Sequence, residues 1–110
     1  TLYIADCGSN RIQIFQRGSL NGSPKSITVF PSNASLSCPT GVVLDGDNTM
    51  YIVDTNNHRI IRSNQSTFYC VVGCTGSSGS TANQLFNPQS MFFDRNGSMY
   101  VLDKDNARIQ

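Results

Sequence analysis

Leu2-Tyr3-Ile4-Ala5-Asp6 returns as Met50-Tyr51-Ile52-Val53-Asp54 and again as Met99-Tyr100-Val101-Leu102-Asp103. Each copy runs into a short polar turn and then an Arg-Ile pair: Arg11-Ile12, Arg59-Ile60 and Arg108-Ile109. The Tyr, Asp and Arg positions recur at spacings of 48 and then 49 residues. A second segment keeps the same register. Leu36-Ser37-Cys38-Pro39-Thr40-Gly41-Val42-Val43-Leu44-Asp45 precedes Leu85-Phe86-Asn87-Pro88-Gln89-Ser90-Met91-Phe92-Phe93-Asp94 by 49 residues. Repetition in one fixed register marks an array of like supersecondary units.

The middle unit reads as four short strands, over 41–45, 50–54, 59–62 and 68–72. They are joined by turns at Gly46-Asp47-Asn48, Thr55-Asn56-Asn57-His58 and Ser63 to Thr67. The strands are almost continuously apolar. A sheet covered on one face alternates apolar with polar residues, so these strands call for cover on both faces. Small four-stranded antiparallel sheets stacked face to face around an axis meet that demand, which makes the expected fold all-β: an incomplete β-propeller built of four-stranded blades. Composition agrees. All seven acidic residues are Asp, and eleven Asn, nine Gly and fourteen Ser favour turns over helix.

Tyr3-x-x-Asp6 with Asn10-Arg11-Ile12, and Tyr51-x-x-Asp54 with Asn57-His58-Arg59-Ile60, resemble NHL repeats. Pro39-x-Gly-Val-x-x-Asp45 resembles the first-strand part of the same repeat. The third copy departs at Ala107, where the others have Asn10 and His58. The low-density-lipoprotein-receptor type of propeller also carries Tyr-x-x-Asp, but with a Trp-Thr pair, and this chain has no Trp. The register divides the chain into the end of a first blade at 1–35, a second blade at 36–73, and a connector with the start of a third blade at 74–110. On this reading the segment is part of a larger propeller, whose other blades come from the same chain or, failing that, from self-association.

A residue required in every blade reads as architecture, so the repeated Asp and Arg are expected to bond across the turn they flank. Function then belongs to what differs between repeats, chiefly the loops. The first unit has a long loop at 16–26. The second has a polar connector at 73–87, read as a slack, flexible link displayed on the rim. The turns after each second strand, with Asn56, Asn57, His58 and Asp105, are the expected ligand-facing surface.

Four cysteines admit three complete pairings. Cys7 follows a second strand and Cys38 precedes the next first strand, two loop types that open on the same propeller face. Their counterparts at the next junction, Thr55 and Asn87, both lack sulfur. Joint presence and joint absence point to a Cys7–Cys38 disulfide and leave Cys70 with Cys74. Zinc would need two Cys knuckles, and only Cys70-x-x-x-Cys74 has that spacing. Disulfides imply an oxidising compartment, extracellular or within the secretory pathway. Asn21, Asn33, Asn64 and Asn96 each head an Asn-x-Ser acceptor pattern for glycans.

A net charge of +1 gives no basic footprint for nucleic acid, and no apolar run reaches membrane-span length. His58 is the single histidine, read as a solvated variable residue, and no nucleophile-elbow pattern occurs. The expectation is a non-enzymatic extracellular recognition module or scaffold. It would bind a protein, peptide or glycan through propeller loops, with no cofactor, metal or catalytic residue. Two alternatives follow from the resemblance: part of a propeller enzyme such as a peptide-amidating lyase, or the substrate- or RNA-recruiting propeller of a tripartite-motif ubiquitin ligase.

Overall fold

The computed structural model describes residues 1–16, 25–29, 35–64 and 67–110, with backbone alone at 25–29. Among these residues the chain is built of β-strands and one-turn 3₁₀ segments. The first sheet holds β1 (Leu2–Asp6), β2 (Arg11–Gln16) and β3 (Lys25–Val29) in that order. The second holds β4 (Pro39–Leu44), β5 (Met50–Asp54), β6 (Arg59–Asn64) and β7 (Thr67–Val72), and the third holds β8 (Pro88–Phe93), β9 (Met99–Asp103) and β10 (Arg108–Ile109). All pairings are antiparallel between sequence neighbours. This is the meander of propeller blades, two of them represented by three strands and one by four.

β6 and β7 run further than the sequence suggests. Asn64 pairs with Thr67, so most of the stretch assigned to a turn at Ser63–Thr67 is strand. The β2–β3 connection also stops short of Ser26, which lies inside β3; residues 17–24, with Asn21, and 30–34, with Asn33, lie outside the described residues.

The apolar strands have the two covered faces that their composition demands. Tyr51, Val53 and Ile60 point from the second blade to the third, where they meet Leu85, Met91 and Val101. Ile52, Ile61 and Phe68 point the other way and join Ile12 and Leu36. Successive residues of β5 thus serve opposite interfaces, as the two-residue period of a strand requires. At about 25 cal/mol per Å² of apolar surface, such burial is the main force holding blade to blade. The outer faces of the end sheets lack that cover: Leu2 is 59% exposed on one, and Phe92 and Leu102 are 55% and 41% exposed on the other. No helix among the described residues is long and apolar enough to cross a membrane.

Candidate functional site

Each second strand ends in an Asp, then a single 3₁₀ turn, then a residue in the left-handed region. Asn10, His58 and Ala107 occupy that last position with φ of 51°, 54° and 50°. Asn tolerates this conformation best of the three, because its short amide can bond locally. The left-handed turn swings the chain back so that Arg11, Arg59 or Arg108 starts the third strand facing the Asp.

The repeated Asp and Arg form a clamp. Asp54 and Asp103 are fully buried. One oxygen of each accepts the backbone N–H of the segment entering the first strand, Ser37 at 2.8 Å and Phe86 at 2.7 Å. The other accepts Asn57 or Asn106 Nδ2 and the Nε of Arg59 or Arg108, both arginines at 2.8 Å. The carboxylate bonds the Arg across the turn as expected, and ties three parts of one blade together by also accepting an N–H from the segment before the first strand. Among the described residues, Arg11 and Asp6 show the ion pair, also at 2.8 Å.

Arg108 also corrects the reading of the 73–87 connector. Its Nη1 donates to the Ser80 carbonyl and its Nη2 to those of Thr81 and Gln84. Asn106 reaches the Gly79 carbonyl and Gln110 that of Ala82, while Leu85 is buried. The connector is tied down by the guanidinium fork, a geometry that Lys could not supply. Polar composition suggested slack, yet its backbone carbonyls are what Arg108 needs.

The disulfides are Cys7–Cys38 and Cys70–Cys74. The first joins consecutive blades on the face of the 3₁₀ turns, beside a hydrogen bond from Cys38 N–H to Asn10 Oδ1 (2.8 Å). At the next junction Thr55, the counterpart of Cys7, donates its hydroxyl to the Pro88 carbonyl (2.7 Å), and Thr40 donates to that of Gln89 (2.9 Å). The second disulfide links the end of β7 to the connector across Gly73.

Of the turn residues expected to face a ligand, Asn56 and Asp105 are exposed. Asn57 and His58 are committed inward, Asn57 Nδ2 to Asp54 and the Ser35 carbonyl. His58 is not the solvated residue that its position suggested: its Nδ1 accepts the Asn87 backbone N–H from the third blade at 3.0 Å. Its ring also meets Phe86 edge-on, with centroids 5.5 Å apart. Asn87 Nδ2 donates to Asp105 Oδ2, and Asp105 N–H donates to the Phe86 carbonyl. His58, Phe86, Asn87 and Asp105 thus form one connected cluster where the second blade meets the third. Phe86 stands where the preceding unit has Ser37, and Asn87 where it has Cys38. Sequence reasoning missed both, although a bulky Phe in place of Ser at a repeat position was a visible signal.

On the opposite face the β4–β5 and β8–β9 turns frame a hollow of about 370 Å³, floored by Leu44, Tyr51 and Phe93 and edged by Asp45, Asp94 and Arg95. Asp94 holds its turn by accepting the N–H groups of Ser98 and Asn96, both at 2.9 Å. The Ser98 N–H is the main cause that lowers its carboxyl below the ordinary value of 3.8, with the Tyr100 hydroxyl adding to it. The same hydrogen bond pushes the Tyr100 hydroxyl up. Asn96 lies exposed at the tip of this turn and Asn64 exposed at the end of β6.

Residues 36–62, from the clamp's entering segment through most of β6, match the family model for the NHL repeat. That span is similar to an NHL repeat. The matched span holds Asp54, Arg59 and Asn57, the residues that clamp the second blade. An auxiliary nutrient binding protein from Bacteroides thetaiotaomicron has a similar solved structure, with a TM-score of 0.77 at 17% identity. That likeness covers 97% of this chain and 33% of the other, so the chain spans about a third of its structural neighbour's length. At this identity it shows the fold. Among curated proteins, none matches the sequence.

Proposed function

We propose that the chain is a non-enzymatic recognition module acting outside the cytosol, and that it meets a protein, peptide or glycan at the His58–Phe86–Asn87–Asp105 cluster. The observation that carries this reading is the clustering of residues that depart from the repeat. The Tyr-x-x-Asp and Arg-Ile positions and the blade packing recur along the chain. These four positions differ from their counterparts and adjoin one another on a single face. Phe86, 38% exposed, offers an apolar ring at the surface, and Asp105 and Asn87 supply polar groups beside it. An aromatic anchor flanked by hydrogen-bonding groups is the usual make-up of a contact centre.

Two disulfides suit an oxidising compartment, and the structural neighbour's own role in nutrient binding supports a binding use of the fold. The repeated Asp and Arg side chains are engaged with one another, which favours architecture over chemistry for them. The reading is tested by screening the chain against glycan and peptide arrays and repeating any positive with Phe86→Ser and Asp105→Ala. Loss of binding in both variants, with circular dichroism unchanged, is the expected result. Binding that survives both and disappears on changing Phe93 in the opposite hollow would refute it.

A further inference from the structure

We infer that His58 is an acid-released latch on the junction between the second and third blades. The latch itself stands on geometry. Its use to control a partner rests on the proposed contact cluster.

A backbone N–H can only donate, so the Asn87 N–H at 3.0 Å requires a lone pair on His58 Nδ1. The bonded imidazole is therefore neutral, with its proton on Nε2. Protonation places a second N–H on Nδ1, opposite the N–H of Asn87, and the hydrogen bond becomes a contact between two donors. The blades do not part, because the apolar cluster of Tyr51, Val53, Ile60, Leu85, Met91 and Val101 lies beneath the junction. What is lost is the Asn87 N–H bond to the ring, while Phe86 stays held through its N–H to Asp103 and its carbonyl to the Asp105 N–H. The imidazolium no longer accepts from Asn87, so the ring against Phe86 and the Asn87 backbone beside Asp105 are the parts of the proposed recognition surface that respond.

The charged groups around His58 have partners of their own. On its own turn, Arg59 is held by Asp54 and by the Ser35 carbonyl. The segment before β8 brings Phe86 and Asn87, neither titratable. The third blade's 3₁₀ turn brings Asp105, paired with Lys104 at 3.9 Å. Cys74 on the connector is bridged to Cys70. Imidazole is the side chain that ordinarily changes charge between roughly pH 5 and 8, and this chain has one. The contribution of the Asn87 bond is present with neutral imidazole and lost as the pH falls through its titration.

The repeat supplies the control. At the preceding junction Asn10 holds the same left-handed position and makes the same bond, accepting the Cys38 N–H through Oδ1 at 2.8 Å. An amide does not titrate, so His58→Asn keeps the acceptor and removes the proton switch. The experiment follows the ¹⁵N-labelled chain by NMR from about pH 8 to pH 5. The Asn87 and Phe86 amide signals are expected to move with the His58 ring signals on one midpoint. The Asn87 amide is expected to lose protection against exchange about tenfold relative to buried β5 amides, the loss of one ordinary hydrogen bond. In His58→Asn both effects vanish. The His58 Nδ1 shift in the unmodified chain reports the acceptor state directly and does not depend on how the variant folds. An Asn87 amide that ignores pH, or one that still titrates in His58→Asn, overturns the latch. If Asn87 titrates as expected while Phe86→Ser leaves binding intact, the latch stands and the contact surface is refuted.

Discussion

Asp54 shows how a residue that looks like chemistry becomes structure. A lone buried carboxylate would be costly, but this one meets a backbone N–H, an amide and a guanidinium. Truncating one partner leaves the others buried without it, and such losses amount to about 3–5 kcal/mol. Asp54→Ala is therefore expected to lower unfolding free energy by that much in urea denaturation. Asp6→Ala, which breaks a partly exposed pair with Arg11, is expected to cost about 1 kcal/mol or less. The two substitutions strike the same repeat position, so equal effects would contradict the clamp. Asp94 supplies a pH signature. Its folded carboxyl titrates below the ordinary 3.8, so its support of the β8–β9 turn is complete above that value and fades as the pH falls through the lowered one. A carboxyl-carbon NMR titration should place the Asp94 midpoint below that of an unfolded control. The positions of Asp54 and Arg59 were legible in the sequence because the repeat displays them. Their partners were less so: the N–H from Ser37 sits 17 residues away, a pairing that only the closed blade creates.

The elements owe their shape to a few left-handed residues that recur with the repeat. Cys38 and Asn87 share φ of 48°, and Asn48 and Gly97 take 60° and 81° at matching turns. Gly73, at φ 72°, differs in having no room: a Cβ there would run into the His58 carbonyl oxygen and crowd the start of β6. Gly73→Ala is expected to cost at least about 2 kcal/mol from strain and displacement together, read as a lowered midpoint in thermal unfolding. The strands and their register were readable from apolar runs and turn residues. The connector at 73–87 was not, because its Gly, Ser and Thr say nothing of carbonyls awaiting Arg108. Equivalence between junctions makes a second claim. Thr55→Cys with Asn87→Cys copies the Cys7–Cys38 pair onto the next junction, and both sites keep the backbone of their counterparts. The doubly substituted chain is expected to show no free thiol on titration and to gain about 3 kcal/mol against urea.

Across the molecule, the middle sheet is covered on both faces and the end sheets on one. The residues left bare are the counterparts of residues packed inside. Leu102 corresponds to buried Val53, and Phe92 to Val43, which packs against the core. The propeller was therefore legible as a repeating surface, one that each blade buries with its neighbour. Sulfur at one junction and none at the next was legible too; what the sequence could not display was that hydroxyls and an imidazole do the fastening at the second. That inequality has a mechanical meaning. When the two ends are pulled apart, the load path passes from Cys7 straight to Cys38 and bypasses the chain between them, a sequence separation of 31. At about 3.5 Å per residue, the oxidised molecule conceals roughly 100 Å of contour length that only a reductant can release. In optical-trap stretching the third blade is expected to yield first, at the hydrogen-bonded junction. Adding dithiothreitol should then lengthen the full extension by that hidden amount, and equal extensions in both states would show that the load never crosses the bridge.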